Sequence, residues 1–564
     1  MTTQRVVVVG GGIAGLTAAY RLLHPADAGA EVPRVVLIDS AERLGGKILS
    51  TPFEGRLVDE GADAFLLRVP WATELCEELG ISAERISPAV GGASVVHAGG
   101  DGPQLTSLPD GLVGGVPTRL GPLIRSPLLG PAGKLRAVAD YVLPRRFTAR
   151  RLRRDAIDRR DAAAAASSAP RSVRVRPGAR GTVTSGDAVT SGDEDAVRVR
   201  PGAASVGDIV RARLGAAVAS QVVDPLLGSI SAGDISRLDA ATSAPILGQA
   251  LERNRSLMRG LRRMQPTPAA DGSAPAPIFG SFAVGMGRLV QALTERLDGC
   301  ILRLGTPVEA IRRPGTRFAV HTGSEVLDAD AVIVAAPAHA AARMLPGAPA
   351  AAARMALIEY ASVAVVTLSV RADAIEAPAE AGFLVTRDTG WLTTACSYGS
   401  AKWPAWSGSG EHDDRRHPVG EGAPHSAGGA VGDGGSPSGR PNVVLRVSVG
   451  RDDDDRHTRL DDAELRDTVL AELSQLSSLR GLSDAGAVTE RRVSRWPQSL
   501  PQYRPGHGRL VDRIEEALAR EMPGVFVTGA AYRGLGIPAC IRQGNEAAAA
   551  VVQHLGLSQA ANSL

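Results

Sequence analysis

The residues best suited to chemistry lie near the start of the chain, where Gly10, Gly12 and Gly15 form a G-x-G-x-x-G pattern. The pattern follows the apolar run Val6–Val9 and opens a helical stretch. The first glycine permits a tight turn, the second lets the main chain approach a pyrophosphate, and the third allows close packing of helix on strand. The helix N-terminus then faces the phosphate charge. We interpret this segment as a dinucleotide-binding loop.

An acidic residue at the end of the next strand supports this interpretation. The sequence predicts strands at Arg5–Val9 and Val35–Asp39, with a helix over Ala14–Leu23 between them. In such a βαβ unit, a carboxylate at the end of the second strand hydrogen-bonds the ribose hydroxyls, and Asp39 holds that position. The context argues against a glycine-rich loop that binds nothing.

The segment after Asp39 favours FAD over NAD. Arg43, the pair Gly45–Gly46 and Lys47 follow at once, and this arrangement resembles the extended dinucleotide motif of flavoproteins in the amine-oxidase superfamily. The chain contains no second G-x-G-x-x-G between a strand and a helix. A single dinucleotide site implies that electrons do not arrive from NADH, and that oxygen or another acceptor reoxidises the flavin.

A second glycine-rich turn lies near the C-terminus. A predicted strand at Val525–Thr528 is followed by the run Gly534–Pro538 and by a helix from about Arg542. Small residues beside a helix N-terminus suit close approach to a flavin ring, where backbone amides polarise N1 and O2. A simple strand–helix connection with a tight turn explains the spacing equally well.

The wider pattern predicts an α/β fold. Helices are expected at Trp71–Leu79 and Ala283–Leu297, and strands at Cys300–Leu304 and Ala331–Val334. Two segments, 145–205 and 407–442, have low-complexity compositions that cannot bury a core, and we expect both to be disordered. The first contains VRVRPGA twice, which indicates a local duplication.

Composition sets further limits. The 564 residues are 44% hydrophobic and 22% charged, and the net charge of +3 does not indicate a nucleic-acid partner. The four cysteines are far apart, which predicts neither a disulfide framework nor a metal site. The sequence shows no secretion signal and no apolar run long enough to span a membrane, so we expect a cytoplasmic protein. Peripheral membrane contact stays open.

Longer stretches resemble one family. The segments RWPQSLPQYRPGHGRLVDRIEEAL and GVFVTGAAYRGLGIPACI are similar to the protoporphyrinogen oxidase family, and more narrowly to its branch in Gram-positive bacteria and actinobacteria that acts on coproporphyrinogen III. The run W-P-x-x-L-P-x-Y-x-x-G-H, from Trp496 to His507, is the most discriminating part. The resemblance extends to four further stretches, namely Leu57–Phe65, Ser205–Val210, Val223–Asp234 and Phe279–Leu289.

The resemblance implies a fold of three parts. A discontinuous Rossmann-like FAD-binding domain would comprise residues 1–85, 282–345 and 508–560. A substrate-binding α+β domain would comprise 86–107, 228–281 and 346–507, and a helical lobe 108–227 would carry the first low-complexity insertion.

The resemblance also implies a set of FAD contacts. The pyrophosphate loop would be Gly10, Gly11, Gly12, Ile13, Ala14, Gly15 and Leu16, and the adenosine ribose would be bound by Asp39 and Ser40. Arg43, Gly46 and Lys47 belong to the second glycine motif, and the turn Gly61, Ala62, Asp63 and Ala64 would lie near the flavin. Val308 would contact the adenine, and Trp496, Leu535, Gly536 and Ile537 would line the isoalloxazine. Asp39 stands where the family usually has Glu, so the ribose contact is expected to be longer or bridged by water.

The implied reaction is the six-electron oxidation of a porphyrinogen, with oxygen reduced to hydrogen peroxide and no side chain assigned as an essential base. Arg68 is the candidate anchor for a substrate propionate, because a guanidinium binds a carboxylate through two hydrogen bonds; a solvent-exposed arginine after a loop is the alternative. Protoporphyrinogen IX stays open as the alternative substrate. Two other classes of protein also stay open, namely an amine oxidase or desaturase and a non-catalytic flavoprotein-like module. Transient contact with the next enzyme of haem synthesis is a possible partnership.

Overall fold

The computed structural model describes residues 4–25, 31–143, 204–265, 277–376, 379–407 and 441–557. Nearly all of both low-complexity segments lies outside these ranges. The prediction that these segments are disordered therefore concerns residues outside the described part of the chain. At the end of the first segment, Ser205 is buried and caps the helix Val206–Leu214 through a reciprocal bond pattern with Asp208.

A parallel sheet forms the centre of the dinucleotide-binding part. Its five strands lie in the spatial order Ile301–Arg303, Arg34–Ile38, Arg5–Val9, Ala331–Val334 and Val525–Val527. The strands are continuous apolar runs because helices cover both faces of the sheet. They come from three distant stretches of the chain, which confirms the predicted α/β fold with a discontinuous parallel sheet.

Two helices that are distant in sequence pack together on one face of this sheet. Ile13–Leu23 and Ile537–Leu555 share a core that includes Leu16 and Ile541, and Gly544 lies against the backbone of the first helix. The second helix begins five residues before the predicted start at Arg542, because Pro538 fits the first turn of a helix. Further helices are Pro70–Glu78 and Gly287–Thr294 on this side, and Ala338–Met344, Pro349–Met355 and His507–Glu521 on the other.

The helix Gly287–Thr294 is shorter than the predicted Ala283–Leu297. Gly285 has a φ of +81°, so the chain turns there, directly before the helix begins.

A seven-stranded mixed sheet forms the second large sheet of the structure. Its strands lie in the spatial order Val488–Pro501, Tyr360–Val370, Val443–Val449, Thr393–Tyr398, Gly382–Val385, Ser94–Gly99 and Gly102–Ser107. One face packs on the helix Asp462–Leu473 through Leu465, Val469 and Leu473. The other face carries buried polar residues, among them Thr367 and Arg446, and contacts the strand Arg56–Asp59 and the turn after it.

Smaller sheets lie beside the two large ones. One joins Phe65–Leu66, Phe279–Phe282 and Arg85–Ile86, and another joins Val308–Arg312, Phe318–Thr322 and Val326–Ala329. The strand pairs Ser50–Phe53 with Arg56–Asp59 and Leu112–Val113 with Val116–Pro117 complete the described sheets.

A helical layer lies beside the seven-stranded sheet. Its helical segments are Leu120–Arg125, Pro131–Val138, Val206–Leu214, Ala216–Val218, Ala219–Gly228, Ser229–Ser231, Ala240–Ser243, Pro245–Arg253 and Leu257–Arg263. One hydrophobic cluster contains residues from both sides of position 227, for example Val222 and Leu261. Residues assigned to the substrate domain by sequence therefore share a core with the helical lobe, and the exact domain limits stay predictions.

Candidate active site

The three glycines of the first loop have different surroundings. A Cβ on Gly10 would lie 2.9 Å from the carbonyl carbon of Ala335, and one on Gly15 would lie 1.9 Å from the Gly10 carbonyl oxygen. No protein atom lies within 4 Å of the position of a Cβ on Gly12. Gly10 and Gly15 thus serve backbone packing, whereas Gly12 faces open space, as a loop that receives a pyrophosphate requires.

Asp39 is bound to this loop. One carboxylate oxygen accepts the Gly11 N–H at 2.6 Å, and the other accepts the Ala41 N–H at 2.8 Å. A carboxylate has about four acceptor positions, so both oxygens can also accept from a ribose hydroxyl. The Thr306 N–H donates to the Asp39 carbonyl at 2.8 Å, which places the strand that begins at Val308 close to Asp39. Ser40 is exposed next to it.

The second glycine pair lies directly on the first loop. The Gly45 N–H donates to the Gly11 carbonyl at 2.8 Å, and a Cβ on Gly46 would lie 3.3 Å from the Gly12 Cα. Arg43 donates to the Gly46 carbonyl at 2.8 Å, so its guanidinium closes its own loop. The structure thus shows Arg43 holding this loop, and a direct contact between Arg43 and FAD stays a prediction.

Lys47 follows this glycine pair directly. Its side chain is accessible, yet protein atoms surround it closely enough that desolvation lowers its pKa. Cys540 lies nearby, and burial raises the pKa of that thiol to about 11. The Cys540 Sγ approaches the carbonyls of Gly534 and Leu535. A buried, protonated thiol fits a packing role and does not suggest a covalent attachment point for the flavin.

The turn Gly61–Ala64 lies between Lys47 and Trp496. A Cβ on Gly61 would lie 2.2 Å from the Lys47 carbonyl oxygen and 3.4 Å from the Trp496 ring. The Trp496 indole N–H donates to the Glu60 carbonyl at 3.2 Å, which fixes the half-buried ring over the turn. Ala62 and Ala64 are half-buried at the same turn.

Asp63 anchors this turn to the seven-stranded sheet. Its Oδ2 accepts from Lys402 at 2.8 Å, from the Trp403 indole at 3.3 Å, and lies 3.2 Å from the Arg446 guanidinium. Burial alone would raise the pKa of Asp63, but Lys402 and Arg446 hold it well below its ordinary value. Asp63 is therefore ionised, and its partners indicate a clamp on the turn.

The C-terminal turn meets the same region. Gly534 has a φ of +125°, and its N–H donates to the Tyr503 hydroxyl at 3.0 Å. Gln543 donates to the Gly534 carbonyl at 3.1 Å, and a Cβ on Gly544 would lie 2.5 Å from the Ala14 carbonyl oxygen. The helix that follows Gly536 is thereby packed against the helix of the dinucleotide loop, and Leu535–Ile537 lie at its N-terminus.

Arg68 lies just after the strand Phe65–Leu66 and is exposed. Within the described residues, no hydrogen bond or ion pair involves its side chain. A guanidinium without a protein partner is available to an anion, which fits the predicted role of Arg68 without establishing it.

The sequence interpretation missed several residues of this site. Arg446 and Lys402 were not identified, and Tyr503 was noted only as part of a family pattern. Arg446 carries a detectable signal, because it is the single charged residue in the apolar run VVLRVSV. Lys402 has no comparable signal. Trp403, whose indole donates to Asp63, is buried in a hydrophobic cluster.

Comparison with known proteins defines the class. Residues 13–552 match the family described as flavin containing amine oxidoreductase, and the chain belongs to that family. It is an FAD-dependent oxidoreductase, and the open cradle at Gly12 with the acid at Asp39 fits this cofactor. Among the described residues, no helix is long and apolar enough to cross a membrane, and no cluster of His, Cys, Asp and Glu is suited to a metal ion.

Individual relatives narrow the comparison. A Bacillus subtilis (strain 168) protein named coproporphyrinogen III oxidase is 28% identical, and the match covers 98% of each chain. A Mycobacterium tuberculosis (strain ATCC 25618 / H37Rv) protein of the same name is 28% identical, with 98% of this chain and 99% of the relative covered. The solved structure of a candidate protoporphyrinogen oxidase from Exiguobacterium sp. 255-15 has a TM-score of 0.71 at 24% identity, covers 99% of this chain and 100% of that one, and supports the fold alone.

Proposed function

We propose that this chain oxidises coproporphyrinogen III to coproporphyrin III. The observation that carries the proposal is the end-to-end match with relatives of that name from several bacteria. The overall reaction removes six hydrogens from the macrocycle, and three molecules of oxygen take them up as three of hydrogen peroxide. The role of oxygen as acceptor is part of the proposal.

Bound FAD would supply the chemistry by accepting electrons from the reduced carbon atoms of the substrate. The residues of this chain supply position and electrostatics. Gly12 admits the pyrophosphate, and Asp39 receives the ribose. Lys47, the turn at Gly61 and Trp496 form one continuous surface, on which we place the flavin ring.

Substrate recognition requires cations, because coproporphyrinogen III carries four propionates. Arg68 is accessible and has no protein partner in the described ranges, so it is available to bind one of them. Protoporphyrinogen IX carries two propionates and two vinyl groups instead. Arg68 therefore distinguishes the two compounds only if it binds a propionate that protoporphyrinogen IX lacks.

The test is aerobic turnover of the purified yellow protein with the two porphyrinogens side by side. Product fluorescence is followed against a control without enzyme, because both substrates autoxidise. We expect a clear preference for coproporphyrinogen III. Preference for protoporphyrinogen IX would move the proposal to the other substrate, and absence of turnover with flavin bound would contradict porphyrinogen oxidation and return attention to amine oxidation or a non-catalytic role.

A further inference from the structure

We propose that Arg446 is a positioning residue for the flavin: together with Asp63 and Lys402 it fixes the turn at Gly61 and thereby sets FAD affinity and reduction potential. The inference rests on the FAD site of the family. It does not depend on which porphyrinogen is the substrate.

Arg446 lies in an unusual place for a charged side chain. It belongs to the strand Val443–Val449, in the middle of the seven-stranded sheet, and only 7% of its surface is exposed. Its direct neighbour on the strand Tyr360–Val370 is Thr367, which is fully buried. Burying a guanidinium is costly unless it is paired and hydrogen-bonded, so its partners indicate what it is retained for.

Both partners of Arg446 belong to the turn. One terminal nitrogen donates to the Gly61 carbonyl at 2.6 Å, and the other lies 3.2 Å from the Asp63 carboxylate. Asp63 is in turn bound by Lys402 at 2.8 Å. The guanidinium thus crosses from the substrate-domain sheet to the dinucleotide-binding part and holds two residues of one turn.

The bonded peptide is a sensitive point of the site. Gly61 is in close contact with the Lys47 carbonyl on one side and the Trp496 ring on the other, and there is no room for a Cβ. A displacement of Gly61 would therefore move the surface on which the flavin ring is placed. An ion pair elsewhere in the sheet would not contact this turn, and its loss would not move the surface on which the flavin ring is placed.

The positive charge of Arg446 should also raise the reduction potential of the flavin. The other ionisable groups around this turn include Asp63, Lys402, Asp59, Glu60, Arg492, Arg43 and Lys47. Replacing Arg446 by a neutral residue makes the cluster more negative by one charge. Since flavin gains electrons on reduction, a more negative environment disfavours the reduced form and lowers the reduction potential.

The test compares Arg446→Met, Arg446→Lys and the control Arg495→Met in the FAD-loaded protein. Arg495 lies on the edge strand of the same sheet, two strands from Arg446, pairs with Asp462 at the surface and has no contact with the turn among the described residues. FAD release on dilution is followed by fluorescence, and the midpoint potential is measured against reference dyes. We expect Arg446→Met to weaken FAD binding at least tenfold and to lower the potential, whereas Arg495→Met changes neither.

The conservative variant separates charge from geometry. Arg446→Lys keeps the charge but loses the fork that reaches Gly61 and Asp63 together, so it should retain the potential and only part of the affinity. Unchanged affinity and potential in Arg446→Met would overturn the proposal, and so would a potential in Arg446→Lys as low as that in Arg446→Met. If Arg446→Met does not fold, Lys402→Met must lower the potential; an unchanged value there overturns the charge argument.

Discussion

Tyr503 and His507 stack with their ring centroids 4.0 Å apart, and both side chains bind the backbone of the segment from Ala530 to Gly534. The Tyr503 hydroxyl donates to the Ala530 carbonyl at 2.6 Å and accepts the Gly534 N–H at 3.0 Å. The His507 Nε2 lies 2.8 Å from the Tyr532 carbonyl and must donate, because a carbonyl only accepts. Burial lowers the pKa of His507, so the ring is neutral and its role is to hold the turn.

Removal of the Tyr503 hydroxyl should loosen this turn. In Tyr503→Phe the ring stack is kept, but the Gly534 N–H and the Ala530 carbonyl lose their partner, at a cost of about 1 to 3 kcal/mol. We expect a lower thermal midpoint and weaker FAD binding, measured by unfolding and by FAD release. The control is Tyr141→Phe, which changes a half-buried tyrosine of the helical layer. Equal behaviour of the two variants would contradict the role of Tyr503.

Gly12 and Gly15 should respond differently to alanine. The new methyl group of Gly12→Ala meets no protein atom within 4 Å, so the FAD-free protein should keep its stability. The same group would obstruct a pyrophosphate, and we expect FAD affinity to fall at least tenfold.

Gly15→Ala instead places a Cβ 1.9 Å from the Gly10 carbonyl oxygen and should destabilise the FAD-free protein itself. Thermal midpoints without FAD, measured beside FAD affinities, separate the two effects. A loss of FAD-free stability in Gly12→Ala equal to that in Gly15→Ala would refute this distinction.

The sequence was sufficient for the local elements of the dinucleotide-binding part. Buried parallel strands are continuous apolar runs, so Arg5–Val9 and Ala331–Val334 were predicted with their observed bounds. The start of the last helix was misplaced, because the glycines and Pro538 before Arg542 indicated a turn while Pro538 lies in the first helical turn. Local sequence patterns alone do not show whether such a proline lies in a loop or in the first turn of a helix.

Contacts between distant segments could not be predicted. Arg446 and Gly61 are 385 positions apart, and no periodicity or spacing relates them. The hydrogen bond between Tyr503 and Gly534 likewise depends on how two loops come together, one before the helix His507–Glu521 and one before the helix Ile537–Leu555. The family resemblance identified Trp496 and Gly61 separately, but only the fold shows that a Cβ on Gly61 would lie 3.4 Å from the Trp496 ring.

Asp59 should make stability depend on pH. It is fully buried, one oxygen accepts from Ser50 at 2.5 Å and from the Met286 N–H at 2.9 Å, and the other has no partner within the described residues. Burial raises its pKa to about 6, against the opposing effect of the Ser50 hydrogen bond. Between about pH 4 and about pH 6 the unfolded chain loses this proton while the folded protein keeps it, so stability falls as pH rises, by at most about 3 kcal/mol.

Asp59→Asn cannot titrate and should lose this dependence. The difference in thermal midpoint, variant minus parent, should increase between about pH 4.5 and about pH 7. Asp373→Asn, an exposed carboxylate, is the control and should show no such trend. A constant difference for Asp59→Asn over this range would show that the carboxyl group does not titrate with a raised pKa.

Arg213 and Asp140 form a fully buried ion pair in the helical layer. The Arg213 Nε lies 2.6 Å from an Asp140 oxygen, and Asp140 also accepts the Leu257 and Met258 N–H groups at the start of a helix. Arg213→Met leaves a buried carboxylate without its charge partner, and we expect a loss of about 3 to 5 kcal/mol.

Thermal unfolding of this variant should be compared with that of Arg211→Met, whose arginine is 36% exposed and 3.7 Å from Asp208. This pair is longer and its arginine is partly exposed, so it should contribute less than the buried pair, about 1 kcal/mol. Equal losses in the two variants would contradict the prediction for Arg213.

Arg68 should affect substrate affinity and leave the fold unchanged. Its side chain is exposed and has no partner among the described residues, so Arg68→Ala removes no internal contact and should keep the parent thermal midpoint. A lost charge-assisted hydrogen bond to a propionate corresponds to about 1.5 to 3 kcal/mol, which predicts a rise of roughly tenfold or more in KM for coproporphyrinogen III.

Arg491→Ala is the matched control, because Arg491 is exposed on the outermost strand of the seven-stranded sheet and is expected to leave KM unchanged. The comparison of two substrates sharpens the test of Arg68. If this residue binds a propionate that protoporphyrinogen IX lacks, Arg68→Ala raises KM for the four-propionate substrate alone. An equal rise for both substrates assigns Arg68 to a propionate that they share, and an unchanged KM for both removes Arg68 from the site.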